Sequence, residues 1–326
     1  MKVCLTGATG YIGNRLALEL AENNYEVHAL VRNIHSPNIP VHPNIYLFEG
    51  NLTNYKTVEK AIVDCESVFH AAAFTRLTCN EVKEFYDTNV QGTANVLNAS
   101  KENGVKKVIF TSSVSVFGPS QPNTLIRENQ PRMSSYANDY ELTKIMAENL
   151  VLDYNKMGLP GIILNVSRVY GPGNNSFSNG VNRLVSMFLK DRFVFVPSKL
   201  NIETNYVFID DVLKAHILAL NNGVAGEKYI IGGENASYEK LFSTILESIK
   251  SKNPIVKINY NILKSGLFLK SFLDRLALKE SSLTPELLDY LFTNRNVSSE
   301  KAISQLGYEI TSLKSGMEQT LSFLKK

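Results

Sequence analysis

The sequence predicts an α/β fold, a doubly wound parallel sheet that carries a smaller, mixed, mainly C-terminal lobe. Three observations predict it. Apolar strand-like segments alternate with amphipathic helix-like ones from Lys2 to Val166, a glycine-rich turn joins the first strand to the first helix, and the alternation loosens after Pro172.

Each element has a local reason. Residues 2–6 form a short apolar strand, and the helix after the glycine turn repeats Ile12, Leu16, Leu18 and Leu20. Residues 27–31, 45–48 and 67–70 are further strands, with Val58, Ala61 and Ile62 marking one face of a helix before the last of them. Residues 81–101 have helical periodicity and stop near Gly104. A fifth strand at 105–111, a helix at 136–156 and a sixth strand at 161–166 follow. This rhythm requires right-handed crossovers and a sheet covered on both faces, a Rossmann-type arrangement.

Beyond Pro172, helices are expected at 179–190, 210–221, 238–248, 285–292, 299–306 and 312–323, with short strands at 205–208 and 227–231. The division expected is a dinucleotide-binding core over 1–172 and a substrate lobe over 173–326, with 205–231 returning partly to the core. The stretch from Ile262 to Leu276 is apolar enough to need packing in a core or dimer, or to form a substrate wall.

Composition narrows the class. The 326 residues, 44% hydrophobic and 20% charged, are those of a globular protein, and a net charge of +3 gives no reason to invoke nucleic acid. The three cysteines, Cys4, Cys65 and Cys79, are too dispersed for a metal knuckle and read as reduced residues. His28, His35, His42, His70 and His216 form no ligand cluster, so no metal is expected. Met1-Lys2 leads straight into a strand, so no cleaved leader is expected, and no apolar run approaches the roughly 20 residues of a membrane span. The expected compartment is the cytoplasm. Helices on the sheet exterior leave room for a homodimer.

Two sites carry the chemistry. Gly7, Gly10 and Gly13 lie at the strand-to-helix junction, where missing side chains let backbone amides and a helix N-terminus approach a pyrophosphate. At the end of the second strand, Val31-Arg32-Asn33 has no acid for a ribose, and Arg32 suits a 2′-phosphate. NADP(H) is therefore favoured over NAD(H), which stays open. Tyr140 and Lys144 stand one helical turn apart, and a nearby ammonium lowers a phenol pKa and fits it for proton transfer. Ser113, at the end of the fifth strand, is the hydroxyl chosen to bind a substrate oxygen, with Thr111 and Ser112 in supporting contacts.

The motifs together resemble the extended, or atypical, short-chain dehydrogenase/reductase superfamily, in its epimerase/dehydratase-like and dihydroflavonol-reductase-like branch. The resemblance spans nearly the whole chain. It rests on Thr6 to Gly13, His70-Ala71-Ala72-Ala73, Asn89-Val90-x-Gly92-Thr93, Thr111-Ser112-Ser113 with Val116-Phe117-Gly118, and Tyr140 to Lys144. Further on it continues in Arg168-Val169-Tyr170-Gly171-Pro172-Gly173, Asn205 to Val212 and Ser299 to Tyr308. The resemblance implies a catalytic set of Ser113, Tyr140 and Lys144. It implies dinucleotide contacts at Gly7, Thr9, Gly10, Tyr11, Ile12, Gly13, Arg32, Asn51, Leu52, Ala71, Ala72, Ala73, Thr111, Lys144, Val166 and Arg168. Asn51 stands where aspartate is common. Thr75, Ser113, Tyr140 and Tyr170 are the implied substrate contacts. Asp210-Asp211 reads as a helix cap with interlobe hydrogen bonds rather than an acid/base pair.

The expected reaction interconverts a small-molecule carbonyl and a secondary alcohol by hydride transfer, with Tyr140 giving or taking the proton. The apolar 262–276 stretch favours a less polar substrate. A nucleotide-sugar epimerase that retains NAD is the alternative, set back by Arg32, by Phe117 in place of a tyrosine and by Val114-Ser115 without an acid. A non-catalytic dinucleotide-binding interaction protein is the other alternative.

Overall fold

The structure is a computed structural model describing residues 1–77, 82–174, 179–190, 193–250, 255–277 and 283–325. β1 (Lys2–Thr6) turns into α1 (Tyr11–Glu22), followed by β2 (Glu26–Val31), β3 (Ile45–Glu49), α2 (Tyr55–Ile62) and β4 (Ser67–His70). α3 (Val82–Tyr86) passes through a π turn at Asp87–Gln91 into α4 (Gly92–Glu102), then come β5 (Lys107–Ser113), α5 (Asp139–Lys156) and β6 (Gly161–Val166). The remainder contains β7 (Arg168–Tyr170), α6 (Gly180–Lys190), β8 (Val194–Pro197), β9 (Glu203–Phe208), α7 (Ile209–Asn222), β10 (Lys228–Ile231) and β11 (Glu234–Ser237). It ends with α8 (Tyr238–Ile249), β12 (Ile255–Ile258), α9 (Tyr260–Leu276), α10 (Pro285–Leu291), α11 (Glu300–Leu306) and α12 (Leu313–Leu324).

Seven strands form the main sheet in the order β10-β6-β5-β4-β1-β2-β3, every neighbouring pair parallel. Alternation along each strand feeds two cores. Val3 and Leu5 join Leu16 and Leu20 of α1 and Val212 of α7, while Cys4 faces the opposite way toward Val58, Val96 and Ala147 of α2, α4 and α5. The strand order reverses at β1, so a crevice opens beyond the carboxyl ends of β1 and β4, where such sheets take ligands. The smaller lobe holds a mixed sheet, β11-β9-β7, and a parallel pair, β12-β8.

Several elements differ from the sequence expectation, each for a local reason. The expected 81–101 helix is broken by the π turn, which turns Asn89 inward until it is 2% exposed; Glu81 lies outside the described residues. β5 runs on to Ser113, so Ser112 and Ser113 are strand residues. α5 starts at Asp139 because the Asn138 side chain accepts from the Glu141 amide and caps it. β7, β8, β11 and β12 are too short to announce a period. The 262–276 stretch is helical, but the packing expected of it is partial. Tyr260 and Leu267 pack on Leu288 of α10, whereas Phe268 and Leu269 are 69% and 60% exposed. Cys4 and Cys65 are buried free thiols, and Cys79 lies outside the described residues. No helix among the described residues is long and apolar enough to cross a membrane.

His70 and His216 are buried where helices meet the sheet. His70 bridges the hydroxyls of Thr6 (2.6 Å) and Thr93 (2.9 Å), and His216 bridges the Thr111 hydroxyl (2.8 Å) and the Val212 carbonyl (2.7 Å). Burial lowers their pKa values to about 3 and about 4, with the Lys144 charge adding to the effect at His70. The unfolded chain binds these protons near pH ~6.5 and the folded chain refuses them, so their contribution to stability is full above that pH and declines as the pH falls toward the folded values. The urea midpoint should therefore fall between about pH 7 and about pH 5, and His216→Gln should flatten that dependence. An unchanged slope in the variant would remove His216 from this account.

Candidate active site

The glycine turn is shaped by close approach. Gly7 has φ 82°, and a Cβ there would stand 2.7 Å from the Ala72 nitrogen; a Cβ on Gly13 would stand 2.1 Å from the Gly7 carbonyl oxygen. At Gly10 a Cβ would meet only that same oxygen, at 3.2 Å, so this exposed side of the turn is open. Gly10 is also the N-cap of α1, with no capping side chain and no acid in the first turn. Uncapped amides at an exposed turn with no acid beside them fit a pyrophosphate, and Thr9 and Ile12 are partly buried next to it.

The surroundings of the turn are specific. The Tyr11 ring is turned into the core, its hydroxyl donating to the Gly171 carbonyl at 2.8 Å, which leaves the backbone of Tyr11 for a ligand. The Ala71 and Ala72 amides reach the Thr6 carbonyl and hydroxyl, both at 3.3 Å, and Ala73 continues this segment beyond β4. Arg32 is exposed just past β2, with no hydrogen bond or ion pair to the described residues. Asn51 is exposed and accepts from the Thr53 amide at 3.1 Å, while the carbonyl of the buried Leu52 is held by Asn95 at 2.7 Å.

At the other end of the crevice, register brings the strand ends level: Thr6 pairs with His70, and Ser113 pairs with Val166. On α5, Tyr140, Lys144 and Glu148 share one face at successive turns. The Ser113 hydroxyl accepts from the Ser115 amide at 3.2 Å, and its influence on the Tyr140 phenol is a lowering one. Burial pushes the Tyr140 pKa well above its ordinary value, Tyr290 adds to this, and Ser113 only partly opposes it. Lys144 stands one turn further along α5. Its ammonium donates to the Thr111 carbonyl at 2.7 Å and lies 4.0 Å from the Phe110 ring centroid. Burial lowers its own pKa to about 7, with Glu148 pulling the other way. Burial outweighs the lowering influences on the phenol, and Tyr140 is protonated at neutral pH.

Neighbours fix this geometry. Glu141, fully buried next to Tyr140, accepts from Arg132 at 2.5 Å, Arg295 at 3.1 Å and the Ala137 amide at 3.0 Å. Glu148 accepts from Ser112 at 2.5 Å, Asn165 at 2.6 Å and Lys228 at 2.5 Å. Asn89 clasps the Phe74 backbone with both amide atoms (2.7 and 3.1 Å), holding the strap that leads to the half-buried Thr75. The sequence reading missed Glu141, Glu148, Arg295 and Lys228. The signal present for two of them was acids one and eight residues after Tyr140; Lys228 and Arg295 meet them only through the fold.

Three expected contacts land elsewhere. Tyr170 is fully buried and donates to the Leu313 carbonyl at 3.4 Å, closed in by Gly316 and Phe208, so it cannot touch a substrate. Arg168, an expected dinucleotide contact, begins β7 and gives its guanidinium to the small lobe, to the Tyr238 hydroxyl at 2.5 Å and the Leu291 carbonyl at 2.7 Å. The Thr111 hydroxyl is turned to His216 and its carbonyl to Lys144. Asp210 pairs with Arg15 at 2.9 Å, and Asp211 receives the amide and hydroxyl of Thr311 (2.8 and 2.7 Å). Both acids thus serve structure.

The glycine turn after β1 and Ser113 at the end of β5 lie at the carboxyl edge of one parallel sheet, an arrangement that fits an enzyme of the extended short-chain dehydrogenase/reductase class. The chain belongs to the NAD dependent epimerase/dehydratase family, whose sequence model matches residues 3–232. It is 26% identical to a 3-beta-hydroxysteroid dehydrogenase of Mycolicibacterium neoaurum, over 94% of this chain and 87% of that one. It is 30% identical to the 3beta-hydroxysteroid-dehydrogenase/decarboxylase isoform 1 of Arabidopsis thaliana, over 83% of this chain and 65% of the relative. Among solved structures, the UDP-glucose 4-epimerase of Thermotoga maritima superposes with a TM-score of 0.82 at 23% identity, covering 100% of this chain and 99% of the other.

Because the Gly13 position is filled by the Gly7 carbonyl, Gly13→Ala must open the turn. NADPH binding, read by the quenching or transfer of nicotinamide fluorescence, should weaken at least about tenfold, or about 1.4 kcal/mol. Unaltered binding would mean that the turn is not the dinucleotide site.

Proposed function

We propose that the protein is an NADP(H)-dependent oxidoreductase that reduces a cyclic, sterol-like ketone to a secondary alcohol. One observation carries the reading: Tyr140 stands in the first turn of α5, its phenol kept protonated by burial, and Ser113 is the last residue of β5 at the carboxyl edge of the sheet. A held acid beside a second hydroxyl suits protonation of a nascent alkoxide better than removal of a proton from an alcohol. The names of the two hydroxysteroid-dehydrogenase relatives support the substrate class. The apolar face of α9 no longer does, because it is turned to the exterior.

Bound NADPH would supply the hydride to the carbonyl carbon, and the turn at Gly7, Gly10 and Gly13 with exposed Arg32 would hold its pyrophosphate and 2′-phosphate. Ser113 and Tyr140 orient the carbonyl oxygen between their hydroxyls. Tyr140 then releases its proton to that oxygen, while Lys144, seated on the Thr111 carbonyl, provides the positive charge behind the helix. Phe117, buried at 6% exposure against Val114, Ile126 and Val297, brings no hydroxyl for a sugar.

Turnover should be assayed with NADPH or NADH against aromatic ketones, alicyclic ketones, 3-ketosteroids and UDP-glucose. Tyr140→Phe should retain NADPH binding and lose turnover by roughly 100-fold or more; turnover at the wild-type rate would sink the proton-transfer role. In the same format NADPH should bind more tightly than NADH, and Arg32→Ala should erase most of that preference. Tighter NADH binding by the unmodified chain, or turnover of UDP-glucose alone, would reverse the reading toward an NAD-retaining epimerase.

A further inference from the structure

The buried carboxylate of Glu148 has no part in the chemistry described so far, yet three strands converge on it. It stands two turns after Tyr140 on α5 and accepts from Ser112 of β5, Asn165 of β6 and Lys228 of β10. The same Asn165 amide nitrogen also donates to the Ser113 carbonyl at 3.3 Å. Glu148 therefore grips Ser113 from two sides, through the hydroxyl of the preceding residue and through Asn165 beneath it.

An ion pair in such a place is poor value for stability. Taking both charges out of water costs several kcal/mol, and apolar side chains of similar volume commonly do as well. Glu148 is 0% exposed and the Lys228 side chain 20%. A charge retained there points to a use for the charge itself. The group one turn away that responds to it is Lys144.

We propose that Glu148, with Lys228 as its counter-ion, is a positioning residue that sets Ser113 against Tyr140 and supplies the negative charge acting on Lys144. The other groups around Lys144 do not replace it. His70 of β4 is buried and neutral, as is His216 of α7 behind Thr111; Phe110 of β5 offers a ring face and Thr111 a carbonyl. On α5 itself Tyr140 remains a phenol, and Glu141 is engaged by Arg132 and Arg295. Among the described residues, Glu148 is the carboxylate that raises the pKa of Lys144 against burial, and the balance falls at about 7.

The two members of the pair must then act on Lys144 in opposite directions. Glu148→Gln keeps an amide oxygen for Ser112 but removes the charge, so Lys144 loses its proton at lower pH. Lys228→Met leaves the carboxylate without its counter-ion, so Lys144 keeps its proton to higher pH. An ion pair that only ties the strands together would lower stability in both variants and leave the Lys144 midpoint in place.

The inference rests on the proposed roles of Ser113, Tyr140 and Lys144, and the test separates the two. Lysines of the cofactor-free protein are labelled by reductive methylation with carbon-13 and titrated by NMR, with Lys144→Arg identifying the Lys144 signal. The midpoint of Lys144, near 7 in the unmodified chain, should move down by about one pH unit in Glu148→Gln and up by about one in Lys228→Met. With NADPH and the best ketone of the panel, Glu148→Gln should lose about tenfold in kcat at pH 7 with little change in NADPH affinity. Midpoints that stay put, or move together, overturn the proposal. If Glu148→Gln does not fold, Lys228→Met decides alone, and an unmoved Lys144 midpoint overturns it. Full turnover by Tyr140→Phe would sink the catalytic reading, while the titration, which needs no substrate, still decides whether Glu148 governs Lys144.

Discussion

The burial of the Lys144 ammonium beneath α5 is the constraint around which the site is arranged. A charge 2% exposed must be met by groups that stabilise it, and here they are the Thr111 carbonyl, the face of Phe110 and the field of Glu148. Each belongs to a different position along β5 or α5. Satisfying all of them fixes how the helix lies on the strand, and that in turn sets the Tyr140 phenol against the Ser113 hydroxyl. His70 and His216 are held neutral on either side, so the ammonium has no positive neighbour competing for the same space.

The rest of the fold supplies the walls. The order reversal at β1 opens the crevice, and Gly7 and Gly13 bring the turn so close to Ala72 and to itself that only hydrogens fit. The small lobe closes on the site through charge. Glu141, next to Tyr140, is shared by Arg132 from the segment before α5 and Arg295 from the segment after α10. A carboxylate with two arginines ties the start of the catalytic helix to the lobe, so the position of Tyr140 depends on both halves of the chain. Arg168 works from the opposite side, fastening β7 to Tyr238 and α10.

Much of this was legible beforehand, for identifiable reasons. Strands buried on both faces read as short apolar runs, so β1, β4 and β6 were found within a residue of their ends. Lone elements of three or four residues, such as β7 and β12, have no period to read. The helix expected over 81–101 concealed a π turn, because the apolar pattern survives one inserted residue while Asn89 is re-aimed. Tyr170 illustrates the limit for side chains: its place in a motif gave no direction, and the bare Cα of Gly316 receives its hydroxyl end in the core.

The sequence by itself determined the α/β class, the parallel core and the glycine turn, and it singled out Ser113, Tyr140 and Lys144 as candidates, because period and local spacing are written in neighbouring residues. Only the tertiary structure decided how those groups are charged. Desolvation raises the Tyr140 phenol, and Lys144 is balanced between burial and a carboxylate whose own partners come from three strands. Electrostatics inside a protein depends on what surrounds a group in space, and Lys228 lies 80 residues from Glu148 along the chain.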